Sequence, residues 1–230
     1  MSEKVGELLK KLVIAIDGPA GSGKSTTARL LAQRLGYVYL DTGAMYRAFT
    51  LKVLRKGLDI HDEEALARLA RETEIRLEPS PQGVSVFLDG EDVTDKIRTP
   101  QIDRAISVVS QVKGVRERMV DLQREMGRQG GIVAEGRDIG TVVFPNADVK
   151  VFLVASPEAR AERRLKDLKA QGIRLSKAEV LADILRRDKL DSTRAVSPLR
   201  KADDAFELDT SSLTIPEQVE KILEWVEKKK

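Results

Sequence analysis

Eight residues near the start, Gly18-Pro19-Ala20-Gly21-Ser22-Gly23-Lys24-Ser25, bring together what is needed to hold a chain of phosphates. Gly18, Gly21 and Gly23 let the backbone wrap closely round an anion. The N–H groups of such a loop, and the positive end of a helix that follows, face the charge. Lys24 adds a mobile cation toward the outer phosphates, and the Ser25 hydroxyl suits Mg²⁺. The spacing is the phosphate-loop pattern G-x-x-x-x-G-K-[ST], which counts only between a strand and a helix. Here the apolar run Leu12–Ile16 precedes it, and Ala28, Leu31, Ala32 and Leu35 follow at i, i+3, i+4 and i+7. The segment predicts a nucleoside triphosphate site.

Three further groups could carry chemistry. In Leu40-Asp41-Thr42-Gly43-Ala44-Met45-Tyr46-Arg47, a small hydroxyl residue and an arginine follow a strand. They are able to hold a second anion, although an ordinary helix start with a solvated Arg47 would look the same. In Ala134-Glu135-Gly136-Arg137-Asp138-Ile139-Gly140, an arginine and an aspartate sit in a loop right after a strand. A structural Arg137–Asp138 ion pair is the alternative there. In Arg186–Arg194, the residues Arg187, Asp191 and Arg194 fall at i, i+4 and i+7, and share one face if the helix continues that far. Arg160, Arg163, Arg164 and Arg174 form a fourth, basic cluster that could equally be a solvated face.

Together these residues suggest an arginine-lined cage for two phosphorylated ligands. The planar guanidinium fork takes phosphate oxygens in pairs. Transfer between two phosphates needs no general base, because an acceptor monophosphate is already anionic at neutral pH. The work lies in overcoming repulsion and aligning the groups. The single histidine, His61, fits a surface position better than a catalytic one.

The elements that must position these residues alternate as strand and helix. Strands are expected at 37–40, 132–134, 149–154 and 205–208, with helices at 44–56, from Pro100, around Val115–Met126, from Pro157 to about Ala170, after the Ser176/Glu179 capping box and after Thr214/Glu217. The predicted fold is α/β: a three-layer parallel-sheet core of the phosphate-loop NTPase kind. Ligands in such folds sit at the carboxyl ends of the strands, where all three loops converge. Residues 58–98 interrupt the alternation, with a helix at 62–73, strands at 75–78 and 84–88, and a turn at 79–83. They read as a small α/β insertion on a core formed by 1–57 and 99–230, with an arginine-rich lid near 158–176.

The 230 residues are 41% apolar and 33% charged, which suits a folded domain with a real core. With no cysteine there is no disulfide, thiolate metal site or cysteine nucleophile. Residues 1–11 are polar and charged, unlike a secretory signal, and no apolar run reaches the roughly 20 residues of a membrane span. A cytoplasmic protein is expected. A net charge of +3 from 40 basic and 37 acidic side chains, with 4% aromatics, gives no footprint for nucleic acid. The chain contains no N-K-x-D guanine-reading element, which argues against a GTP-dependent switch.

The segments Ile16–Ser25, Leu40–Arg47, Gly90–Thr94, Glu135–Pro145 and Arg194–Leu199 resemble, in order and over nearly the whole chain, the bacterial cytidylate kinases. The resemblance implies a monophosphate-binding role for the 58–98 insertion. It implies ATP binding by Gly18, Pro19, Ala20, Gly21, Ser22, Gly23, Lys24, Ser25 and Thr26, with Arg160, Arg163 and Arg164 in the lid over ATP. Thr42, Arg47, Arg137 and Arg194 would contact the CMP phosphate. Ser110, Arg116 and Asp138 would read the base, and Arg187 and Asp191 would lie near the sugar and phosphates. Lys24, Arg137, Arg187 and Arg194 would serve the transfer itself, and Ser25 the Mg²⁺ that travels with ATP. The implied substrates are ATP and CMP or dCMP, and the implied state is a monomer. A carboxylate suits the base because cytosine offers an amino donor where uracil offers only an acceptor. UMP, AMP and shikimate remain alternative acceptors on the residues alone.

Overall fold

Strands that run parallel must have both faces covered, and here the apolar residues alternate to meet that need. The structure, a computed structural model, describes residues 11–80, 83–170 and 172–229. The central sheet contains β1 (Val13–Asp17), β2 (Val38–Asp41), β6 (Ile132–Gly136), β7 (Val149–Val154) and β8 (Phe206–Asp209). Its order is β2-β6-β1-β7-β8, and every pairing is parallel. Ile14 and Ile16 point to one face, which α1 (Lys24–Leu35) and α8 (Ile215–Glu227) cover. Ala15, Leu40 and Ala134 point to the other, covered by α2 (Thr42–Arg55), α4 (Pro100–Val109) and α5 (Lys113–Met126). This is the three-layer α/β core expected from the sequence.

The helix ends follow local chemistry. The expected capping boxes at Ser176/Glu179 and Thr214/Glu217 are both formed. Thr99 caps α4 ahead of Pro100. Helix α2 begins two residues earlier than expected, because Asp41 accepts the Ala44 N–H at 2.8 Å.

Residues 58–98 form α3 (Glu63–Arg71) and a separate sheet of β3 (Ile75–Ser80), β4 (Gly83–Leu88) and β5 (Glu91–Asp92). Part of the expected 79–83 turn is strand: Pro79 pairs with Val84 and Ser80 with Gly83. Proline is tolerated there because β3 is an edge strand, where one side of the backbone needs no partner. Positions 81 and 82 of that turn, and residues 1–10, lie outside the described residues. The insertion is not insulated from the core. Leu66, Ile75, Val86, Leu88 and Val93 belong to the same apolar cluster as Leu40, Phe49 and Met119.

Helices α6 (Pro157–Ala170) and α7 (Lys177–Thr193) carry their own apolar patch of Ala161, Leu168, Val180 and Ile184. Helix α7 ends before Arg194, whose backbone is extended. Arg194 therefore does not share a helix face with Arg187 and Asp191, as the i, i+4, i+7 spacing had suggested. A π-turn at Ile139–Val143, which the sequence pattern does not predict, follows β6.

Candidate active site

The phosphate loop joins β1 to α1. A side chain at Gly18 would place its Cβ 2.3 Å from the Leu153 carbonyl oxygen, so only glycine lets the loop cross β7 this closely. Lys24 is buried and donates from Nζ to the Pro19 carbonyl at 2.7 Å. Burial, reinforced by the positive charge of Arg137, lowers its pKa to about 7. The Ser22 hydroxyl is buried with no hydrogen-bond partner among the described residues. Behind the loop, Thr27 donates to Gln218 at 2.7 Å, and Gln218 donates to the Leu213 carbonyl at 3.1 Å, which fixes α1 to the last helix.

Parallel register brings three carboxylates to the ends of adjacent strands. Asp41 stands opposite Glu135, and Asp17 opposite Gly136. All three are buried. Glu135 accepts from Ser25 Oγ at 2.6 Å and from the Tyr39 hydroxyl at 3.3 Å. Burial raises its pKa, and the neighbouring Asp41 adds to the effect. Asp17 accepts the backbone N–H groups of Ile139 at 2.8 Å and Gly140 at 2.7 Å, pinning the loop that carries Arg137 and Asp138. Burial pushes Asp17 up to about 6 despite those two hydrogen bonds. Neither Glu135 nor Asp17 stood among the expected site residues.

Asp138 lies between two buried arginines. It accepts from Arg116 Nη2, and Arg194 Nη2 is 3.7 Å from its other oxygen. Arg116 sits with its guanidinium 5.5 Å from the centre of the Tyr46 ring. Around this carboxylate three buried polar atoms, Tyr46 Oη, Arg116 Nε and Arg194 Nη2, have no hydrogen-bond partner among the described residues. Native interiors seldom leave such atoms unpaired outside sites of function. The structure brings Arg116 and Asp138, both expected at the base, into contact, and sets beside them Tyr46 and Arg194, the latter expected at the acceptor phosphate. Ser110 takes part through its backbone carbonyl, which accepts from Arg116 Nη1 at 3.0 Å. The buried serine of α4 is Ser107.

The arginines expected around the acceptor phosphate are held by local partners. Thr42 is buried and donates to the Glu135 carbonyl at 2.7 Å. Arg47 donates to Asp103 at 2.7 Å, and Arg137 donates to Asp191 at 2.7 Å. Arg194 Nε donates to the Ser197 carbonyl at 2.6 Å. Burial and the nearby charge of Arg137 depress the pKa of Arg187, a sign of crowded positive charge that an anion would relieve.

The three expected lid arginines point in different directions. Arg160 is buried, makes a two-point contact with Asp188 at 2.9 and 2.6 Å, and donates to the Ala20 carbonyl of the phosphate loop at 3.1 Å. Arg163 donates to Thr210, by its hydroxyl at 3.2 Å and by its carbonyl. Arg164 reaches Asp103 at 3.0 Å. His61 is exposed in the insertion. Among the described residues no helix is long and apolar enough to cross a membrane.

The family model described as cytidylate kinase matches residues 14–228. The chain is 53% identical over 220 residues to a cytidylate kinase of Bacillus velezensis, covering 96% of this chain and 98% of that protein. It is 53% identical over 217 residues to the cytidylate kinase of Geobacillus kaustophilus, covering 94% and 97%. Among solved structures, an uncharacterized protein from Eubacterium ventriosum superposes with a TM-score of 0.52 at 13% identity, over 95% of this chain and 99% of its own, a likeness of fold alone. Identity above one half over nearly the full length of both chains, with the family model matched from residue 14 to 228, goes beyond a shared fold, and the chain belongs to the cytidylate kinase family.

Proposed function

We propose that this protein transfers the γ-phosphoryl group of ATP to CMP, and to dCMP, giving ADP and the corresponding diphosphate. The observation that carries the reading is Asp138, a buried carboxylate clamped by Arg116 and Arg194 at the end of an arginine-lined crevice. A carboxylate there accepts from the cytosine 4-amino group and meets an acceptor, unfavourably, in uracil. Arg47, Arg137, Arg187 and Arg194 surround the acceptor phosphate, and Thr42 offers its hydroxyl oxygen. Lys24 and the loop from Gly18 to Thr26 hold the donor phosphates, with Arg163 at the donor side of the lid. Arg160 serves the donor by fixing Ala20, and Asp191 serves the acceptor by orienting Arg137.

Magnesium fits the residues present. Such an ion is held mainly by substrate phosphates and water, with few protein ligands. Ser25 Oγ and the Glu135 carboxylate, 2.6 Å apart, supply hard oxygen donors beside the phosphate loop. When bound, the ion neutralises charge on the transferring phosphates. The chain's own part is to place Ser25, to keep Glu135 buried and to exclude water by bringing α6 and α7 over the crevice. A monomer working in the cytoplasm on small-molecule substrates, without nucleic acid or membrane, completes the proposal.

The test is ADP formation from MgATP with CMP, dCMP, UMP, AMP, GMP and shikimate offered separately. Turnover confined to CMP and dCMP supports the assignment. A protein inert to CMP that phosphorylates AMP or shikimate would overturn it.

A further inference from the structure

Two arginines from two helices hold one carboxylate in the first turn of α4, and a third from another helix adds to its field. Asp103 Oδ1 accepts from Arg47 Nη2 of α2 at 2.7 Å, and Asp103 Oδ2 accepts from Arg164 Nη2 of α6 at 3.0 Å. Arg187 of α7 is near enough to contribute to the same field. Burial by itself would raise the Asp103 carboxyl, but Arg47, Arg164 and Arg187 together hold it below its ordinary value. It is therefore fully charged at neutral pH.

The arrangement has a physical purpose. Guanidinium groups crowded into a half-buried crevice repel one another: the pKa of Arg187 is depressed first by burial and then by the charges of Arg137 and Arg47. An enzyme gains most when such groups already stand where the charged reactants will need them. Something anionic must then hold them before the reactants arrive. Asp103 does this for two of them, with Oδ1 for Arg47 and Oδ2 for Arg164. It leaves the remaining fork of Arg47 committed only to a long contact with the Ile97 carbonyl at 3.4 Å.

We propose that Asp103 is a positioning residue that holds Arg47 of the acceptor site and Arg164 of the lid in one pre-assembled cage, tying acceptor binding to lid closure. The proposal rests on the reading of Arg47 as an acceptor-phosphate ligand. It makes Asp103 a partner of the chemistry without contact to either substrate. An acceptor phosphate arriving at Arg47 competes with Oδ1, and the carboxylate then turns its charge more fully onto Arg164, holding the lid helix firmly against α4.

A double-mutant cycle tests this: wild type, Asp103→Asn, Arg164→Gln and the double variant, each assayed for CMP-dependent ADP formation and for thermal midpoint. Asparagine keeps the size of Asp103 and removes the charge, and Asp103→Ser serves as a second substitution. The expected result is a fall of about tenfold in kcat for Asp103→Asn, with a thermal midpoint near wild type, and a fall of less than about threefold when Arg164 is already glutamine. A purely structural residue would lower the midpoint and leave kcat per folded molecule alone. Equal effects of Asp103→Asn in both backgrounds, or kinetic constants equal to wild type, would overturn the proposal. A wild-type protein that turns over no CMP would overturn the underlying reading and this proposal together. An active wild type with an indifferent Asp103→Asn sinks the latch alone.

Discussion

The Ser25 hydroxyl donates to Glu135 Oε1 at 2.6 Å, so the last residue of the phosphate loop is tied to the carboxylate at the end of the neighbouring strand. This tie sets the direction of the Ser25 lone pairs. Glu135→Gln should raise the Mg²⁺ concentration needed for half-maximal rate by about tenfold, the usual scale for a group that orients or joins a metal's ligands. The KM for CMP should change less than about threefold. A Mg²⁺ titration at saturating nucleotides checks this, and an unchanged midpoint would reduce Glu135 to a partner of Tyr39.

Asp138→Ala should lower kcat/KM for CMP by about a hundredfold or more and leave the affinity for MgATP within about threefold. It should also reduce stability by about 3 kcal/mol, because Arg116 and Arg194 would be left buried without their counter-ion. Kinetics with CMP and UMP, beside denaturant melts, separate the two effects. Equal losses for both nucleotides would make Asp138 a structural residue.

Lys24, with a pKa lowered to about 7, is mostly neutral at pH 8 in the free protein. Triphosphate oxygens favour its charged form, so MgATP binding at pH 8 should take up about one proton per site, falling toward zero at pH 6. Calorimetric titrations in buffers of different ionisation enthalpy report that number directly. No uptake at pH 8 would place the lysine's charge in the free protein as well.

The Asp17 carboxyl is raised by burial from 3.8 to about 6, so between these values the folded protein binds a proton that the unfolded chain releases. The sign follows: this group favours the folded state most below pH 4, and that contribution is lost as pH rises through 6. The difference amounts to at most about 3 kcal/mol. Asp17→Asn should remove this downward slope between pH 4 and 6. Melts across that range, wild type against variant, measure it, and parallel curves would contradict the assignment.

Arg160→Lys should not substitute for arginine, because one ammonium cannot span both oxygens of Asp188 and also reach Ala20. A loss of about 2 kcal/mol is expected for either Lys or Ala, together with a raised KM for ATP as the phosphate loop loses its outer tie. A lysine variant with wild-type stability and ATP affinity would refute the bridging role.

What the sequence made legible was local. The phosphate loop, the Thr99, Ser176 and Thr214 caps and the apolar strands depend on residues within a few positions of one another. The parts it hid depend on register and phase. Glu135 becomes a site residue only because β6 lies between β1 and β2, which puts it beside Ser25, 110 positions away. Asp17 reaches the π-turn in the same way, across 122 positions. Ser107 and Ser110 are one turn apart, and only the packed helix shows which is buried. Arg194, expected on a helix face with Arg187 and Asp191, instead follows the end of that helix and stands 3.7 Å from Asp138. The signal that could have exposed Asp103 was its position in the first turn of α4, but nothing nearby in the chain names Arg47 or Arg164 as its partners.

The apolar patch between α6 and α7 is separate from the two clusters that flank the sheet. A hairpin with private cohesion is an exchangeable part. Its length, charge and timing can drift under selection while the sheet keeps its packing, since few core side chains must change in step. Under the roles proposed for the lid and for Asp138, donor preference and turnover speed would then evolve on one tether and acceptor choice on another.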